Sequence, residues 1–132
     1  MKSDVTGAVA KLEKAYDLAC ETGIADDAAV VCEELSRGWA RRKSAARSLY
    51  YARKATKLAP EQQPPWTTLA KTCELVASRI RDPQRQDRSR VLYRAAATAF
   101  KKAASLTKDR EDKHWLLELA SDAARQAKPH DV

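Results

Sequence analysis

Apolar residues recur along this chain three or four positions apart, and no stretch alternates apolar with polar for long. Val5, Val9, Leu12, Tyr16 and Ala19 form the first such row. It predicts a helix to about Cys20, capped by Asp4 or Ser3 and stopped by Gly23. Val31, Leu35 and Trp39 mark a second helix, opened by Asp26 or Asp27, whose charge suits a helix N-terminus, and closing near 42–44. A third carries Leu49, Ala52, Ala55 and Leu58 and stops at Pro60. Pro64 and Pro65 fit the first turn of a fourth, which follows Trp66, Leu69, Cys73 and Val76 to Ile80, where Asp82-Pro83 breaks the chain. A long fifth helix holds Val91, Leu92, Ala95, Ala96, Ala99, Phe100, Ala103 and Leu106. Asp109 caps a sixth through Trp115, Leu116, Leu119 and Ala123 to about Ala127. About six helices with short connections imply antiparallel neighbours, hence an all-α fold, either stacked hairpins or a helical bundle. One domain is expected over 1–128, with 129–132 as a frayed tail.

Composition supports this reading. Three Gly and five Pro in 132 residues leave few breakers, and a chain of this length buries enough surface to fold without metal or disulfide. Cys20, Cys32 and Cys73 are odd in number and far apart, which suits small buried side chains in a reducing cytosol better than a metal site. No window approaches the ~20 apolar residues of a membrane span, and the polar Met1-Lys2-Ser3-Asp4 start does not read as a secretory signal. The expected location is cytoplasmic.

Repetition adds a second layer. Cys32, Leu35, Ser36 and Trp39 have counterparts 34 residues later at Trp66, Leu69, Ala70 and Cys73. Ser48, Ala52, Ala55, Leu58 and Pro60 follow the first set; Ala96, Phe100, Ala103 and Leu106 follow the second, with Lys108 in place of the proline. This period and residue pattern resemble the tetratricopeptide repeat, a family of stacked helical hairpins. The chain departs from the family where the interval from Cys73 to Ala96 is 14 residues longer than that from Trp39 to Ser48, an insertion expected around 79–93. The last helix has Glu118 where a small residue is usual and reads as a polar-faced cap, and the first helix fits neither half of the pattern. The resemblance implies a concave groove lined by the first helix of each hairpin, with Glu33, Arg37, Arg41, Thr67, Lys71 and Glu74 as partner-binding candidates. The chain contains no asparagine, so it lacks the residues of the subgroup that clamps a C-terminal carboxylate.

Charge is strongly segregated within the net +7. Residues 1–36 hold three basic and eight acidic side chains, 37–60 eight basic and none acidic, and 79–102 eight basic against Asp82 and Asp87. Arg37 and Arg41 share a face of the second helix. Lys43, Arg47 and Lys54 share one on the third if that helix starts early enough, with Arg53 and Lys57 beside them. Arg90, Arg94 and Lys101 line the fifth. Such a basic patch attracts phosphates or an acidic peptide when it is not simply a solvated face. Tyr50, Tyr51 and Tyr93 lie near these charges but are expected to pack rather than to stack on bases, and Trp39, Trp66 and Trp115 are expected between helices.

Catalytic chemistry has little to stand on. The sequence has no Gly-rich phosphate loop, no His-Glu-x-x-His and no Gly-x-Ser-x-Gly. Glu33 and Glu34 are adjacent and point to different faces, while His114 suits a packing or solvent-facing position and His130 the tail. The expectation is therefore not an enzyme, with no metal and no cofactor. It is an adaptor or scaffold that takes a protein or peptide segment, an acidic one included, through a mainly basic groove. The alternative is a nucleic-acid-binding module using 37–57 and 79–102, and self-association of exposed repeat ends is a further expectation.

Overall fold

The computed structural model describes residues 3–22 and 25–128 and is all-α, with six helices and no strand among them. In order these are α1 (Ser3–Thr22), α2 (Ala25–Arg41), α3 (Ala45–Leu58), α4 (Gln63–Arg79), α5 (Gln86–Ser105) and α6 (Arg110–Ala127), with a 3-10 turn at Pro83–Arg85 before α5. Gly23 and His130, expected as a helix stop and a tail residue, lie outside the described residues, as does the 129–132 tail. So do the side chains of Ser3, Asp4, Cys20 and Asp26. Contacts divide the chain into two compact units, 1–61 and 62–132.

The ends of the helices follow from local chemistry. Lys43, at φ 61°, ends α2. Its N–H bonds the Ala40 carbonyl at 3.0 Å and the Ser44 N–H the Trp39 carbonyl at 2.9 Å, the paired closure that a left-handed residue provides. Lys43 thus lies before α3, which starts at Ala45, and does not join Arg47 and Lys54 on a helical face. Pro64 and Pro65 occupy the first turn of α4. The Asp82 carboxylate accepts from the Gln84 N–H at 2.9 Å and opens the 3-10 turn. The Asp109 carboxylate accepts from the N–H groups of Glu111 and Asp112 and caps α6.

In the first unit α2 packs against both α1 and α3. Leu35 and Trp39 are buried, with Leu12, Tyr16, Val31 and Tyr51 packed on them. Two buried serines set the approach of α2 to α3: Ser36 Oγ donates to the Ser48 carbonyl at 2.9 Å and Ser48 Oγ to the Ser36 carbonyl at 2.8 Å. Side chains this short let two helix backbones come together.

In the second unit α5 packs against both α4 and α6, which make no comparable backbone contact with each other among the described residues. The stripes reflect this. On α5 the buried set is wide, from Ser89 and Leu92 through Ala96, Ala97, Ala99, Phe100, Ala103 and Ala104. On α6 it is a single narrow row, Leu116, Ala120, Ala123 and Ala127. Ala70, Phe100, Ala103, Leu116 and Ala120 belong to one core cluster flanked by Trp66, Leu69 and Leu119. Two expected core positions fall outside. Val91 is 56% exposed and Trp115 49% exposed, because Leu92 and Leu116, one residue on in each helix, set the phase of the buried face.

The long interval between Cys73 and Ala96 has a simple form. Ser89 Oγ donates to the Ala77 carbonyl at 3.0 Å across α4 and α5. Ala77 lies seven residues beyond Ala70, and Ser89 seven before Ala96. The bond ties α4 to α5 near their connection, while Ala70 packs in one cluster with Ala99, Phe100, Ala103 and Ala104. Relative to the first hairpin, α4 runs about one turn further and α5 starts about two turns earlier, with a longer connection between them, and a serine again joins the pair near its tip.

Ser36→Ala and Ser48→Ala are each expected to lower stability by about 1 kcal/mol. Ser48→Leu should cost about 1–3 kcal/mol, since the larger side chain must push the helices apart. Urea unfolding followed by circular dichroism reads both. A Ser48→Leu chain as stable as the parent would mean that the helices are not in tight contact at this crossing.

Candidate partner groove and basic helix face

The six groove candidates fall three in each unit, and each unit stands by itself. In the first, Glu33 is buried at 7% exposure, not presented on an open face, because it shares the side of α2 that holds Ala29 and Ser36. Arg37 is exposed and pairs with Glu34, and Arg41 is exposed in the last turn of α2. In the second, Thr67 is half-buried and hydrogen-bonded to Gln63 one turn back.

Lys71 and Glu74 are brought together. They line a depression of about 520 Å³ with Leu75 and Ser78 of α4, Tyr93 of α5, and Asp122 and Gln126 of α6. A second depression, of about 300 Å³, shares Ser78, Tyr93 and Gln126 and continues toward Arg81, Arg90 and Lys128. The result is a trough between α4 and α6. At its first end the Lys71 ammonium lies 5.6 Å from the Trp115 ring centroid. The exposed Leu75 gives that end an apolar edge, and the half-exposed indole lies beside it under Lys71. Glu74 sits further in, and desolvation by burial raises its carboxyl above the usual glutamate range, opposed by the charge of Lys71.

Leu75, Ser78, Tyr93, Asp122 and Gln126 were not among the sequence candidates. Their signal was present as rows, Lys71–Leu75–Ser78 on α4 and Trp115–Asp122–Gln126 on α6. Choosing the second row required knowing which side of α6 packs.

The basic residues divide by what they touch. Arg47, with Arg42, lies over the Trp39 ring at 4.4 and 4.9 Å. Both guanidinium groups thus cover a buried indole whose Nε1 has no acceptor among the described residues. Arg90 pairs with Asp87, while Arg94 and Lys101 are exposed on α5. Lys54 is half-buried among tyrosines. Its ammonium donates to the Tyr50 hydroxyl at 3.2 Å and lies 5.3 Å from the Tyr16 ring and 5.4 Å from that of Tyr50. Hydrogen bonds to Tyr16 and Tyr50 raise its pKa above the usual lysine value, so it stays charged. Tyr51 packs edge-on against Tyr16 and Tyr50, and desolvation raises its phenol. Tyr50, expected to pack, is 54% exposed.

His114 is exposed and sits 3.0 Å from Glu118 on α6. Cys32 and Cys73 are buried thiols outside any disulfide. No cluster of three metal-ligating side chains occurs among the described residues, and none of their helices is long and apolar enough to cross a membrane. No protein family, curated protein or solved structure matches the chain.

The raised Glu74 carboxyl gives a signed expectation. Its folded pKa lies above the unfolded one, so its contribution to stability is full below the ordinary glutamate value of about 4.3 and is lost as pH rises through the folded value. Glu74→Gln is expected to raise the melting temperature at neutral pH and to flatten the decline above about pH 4. Thermal melts across that range check it, and a variant whose profile parallels the parent's would contradict the assignment.

Proposed function

We propose that this chain is a tetratricopeptide-like binding module, and that the trough between α4 and α6 takes an extended peptide segment of a partner protein. The observation that carries this is the trough itself. It places one cation, the partly desolvated Glu74, the exposed Asp122 held by Arg125, three neutral polar side chains and the exposed Leu75 around one depression. Such a surface suits a segment with an acidic side chain for Lys71 and an apolar one for Leu75 and Trp115; interface hot spots are enriched in tryptophan and other large side chains that exclude water.

The tetratricopeptide reading draws support from the small residues at matched crossings. Ser36 meets Ser48, and Ala70 and Ala96 are fully buried, so small buried residues stand where the repeat would use them in each hairpin. The narrow stripe of α6 suits a terminal helix covered on one side. A scaffold or adaptor role in a reducing compartment such as the cytoplasm belongs to the same proposal, and the buried thiols Cys32 and Cys73 are compatible with it.

Selection from a random peptide display library against the full chain tests the reading. Enriched peptides should bind with affinity that falls roughly tenfold or more on Leu75→Asp or Lys71→Glu and stays level on Arg94→Glu, outside the trough. Failure to enrich any sequence, or peptides indifferent to both trough variants, would reject the site.

A further inference from the structure

The outer face of α3, in the first unit, has a different character from the trough. Ala46, Tyr50, Arg53, Lys54, Lys57 and Leu58 line a depression of about 500 Å³. Ala46 and Leu58 add apolar surface to it, and Arg53, Lys54 and Lys57 add three cations. Arg53 and Lys57 are exposed, one turn apart, and neither has a carboxylate partner among the described residues. No acidic residue occurs anywhere in 37–60. Tyr50 stands one turn before Arg53 and Lys54 with more than half its surface open, its hydroxyl held by the Lys54 ammonium.

We propose that this face binds single-stranded nucleic acid, with a base against the open part of the Tyr50 ring and neighbouring phosphates on Arg53 and Lys57. An aromatic platform next to a row of cations is the arrangement by which single strands are held without regard to sequence. Each part has a reason. The row of positive charge, with no acid on α3 itself although Glu13 of α1 acts on Tyr51 beside it, favours a polyanion. The exposed ring selects one with flat apolar groups, which the stacked bases of a duplex do not offer. Lys54, bonded to the hydroxyl, and Tyr51, packed edge-on against the ring, brace Tyr50, and Lys54 adds its own charge. α3 is 14 residues long, and Tyr50 and Lys57 are two turns apart, about 10 Å along the helix, which limits the site to a few nucleotides.

Fluorescence anisotropy of the full chain with labelled oligo(rU) and oligo(dT) of about ten nucleotides tests this, with an equal-length duplex and polyglutamate as competitors. Single strands should bind at roughly 50 mM salt, with log affinity falling against log salt at a slope of about −1.5 to −2 for two or three phosphates. Tyr50→Ala should weaken binding roughly tenfold. The pair Arg53→Gln and Lys57→Gln should lower the magnitude of the slope by about 1.4. Circular dichroism should remain that of the parent, since all three positions are exposed. Absence of binding at low salt overturns the proposal. So does a duplex or polyglutamate that competes as well as the single strand, because that marks a surface for polyanions or acidic peptides in general. The salt titration and competition use the native chain, so they decide the matter even if a variant fails to fold. A trough that fails to select peptides leaves these measurements unaffected.

Discussion

The distance between two antiparallel helices is set by the side chains at their crossing, and in this chain those side chains are small. Ser36 and Ser48 exchange hydrogen bonds through each other's main-chain carbonyls. Ser89 bonds the carbonyl of Ala77, and Ala96, Ala99 and Ala103 line the buried face of α5. A serine at such a place does two things an alanine does not. It satisfies its own hydroxyl where water is excluded, and it ties the helices at one register, because a shift of one residue would remove the acceptor. The large residues then have fixed gaps to fill. Leu35 and Trp39 fill one in the first unit and Phe100 and Leu116 another in the second, so the close crossings govern where bulk can go.

From that constraint the trough follows. Because α5 meets α4 and α6 through alanines, both flanking backbones lie close to it while remaining apart from each other. The space above α5 between its neighbours is left for whatever side chains reach into it, Tyr93 and Arg90 of α5 among them. The same geometry explains Trp115. The row that packs on α5 is already occupied by Leu116, Ala120 and Ala123, so the indole stands at the edge, where Lys71 covers part of its face. The phase of a narrow buried stripe therefore fixed the role of this tryptophan.

Much of the fold could be read from the sequence because its signals are local. The Asp109 cap, the prolines opening α4, the Asp82-Pro83 break and the three-and-four spacing each act within a turn or two of chain. The longer interval before Ala96 was visible as a number. Its form, about one more turn on α4, two more on α5 and a longer connection, became clear only from the helix bounds. The candidate residues fared less evenly, since their roles depend on non-local neighbours. Glu33 lies on the buried side of α2, Arg47 is turned onto Trp39, and Arg90 is paired with Asp87. Lys71 and Glu74 share a depression whose far wall, Asp122 and Gln126, lies about 50 residues on.

The basic residues show why counting charge is a poor guide to a charged surface. The run 37–60 holds eight cations, yet they do not act alike. Arg37 has a carboxylate, Arg42 and Arg47 cover an indole, and Lys54 is held by two tyrosines. A guanidinium stacked on an aromatic ring keeps its charge but gives up one face and much of its freedom. What distinguishes α3 is therefore not the size of the charge but its company. Arg53 and Lys57 remain open beside a tyrosine that Lys54 and Tyr51 brace. Order of this kind reduces the entropy a partner must supply on binding, and it separates a face prepared for a ligand from one that is merely soluble.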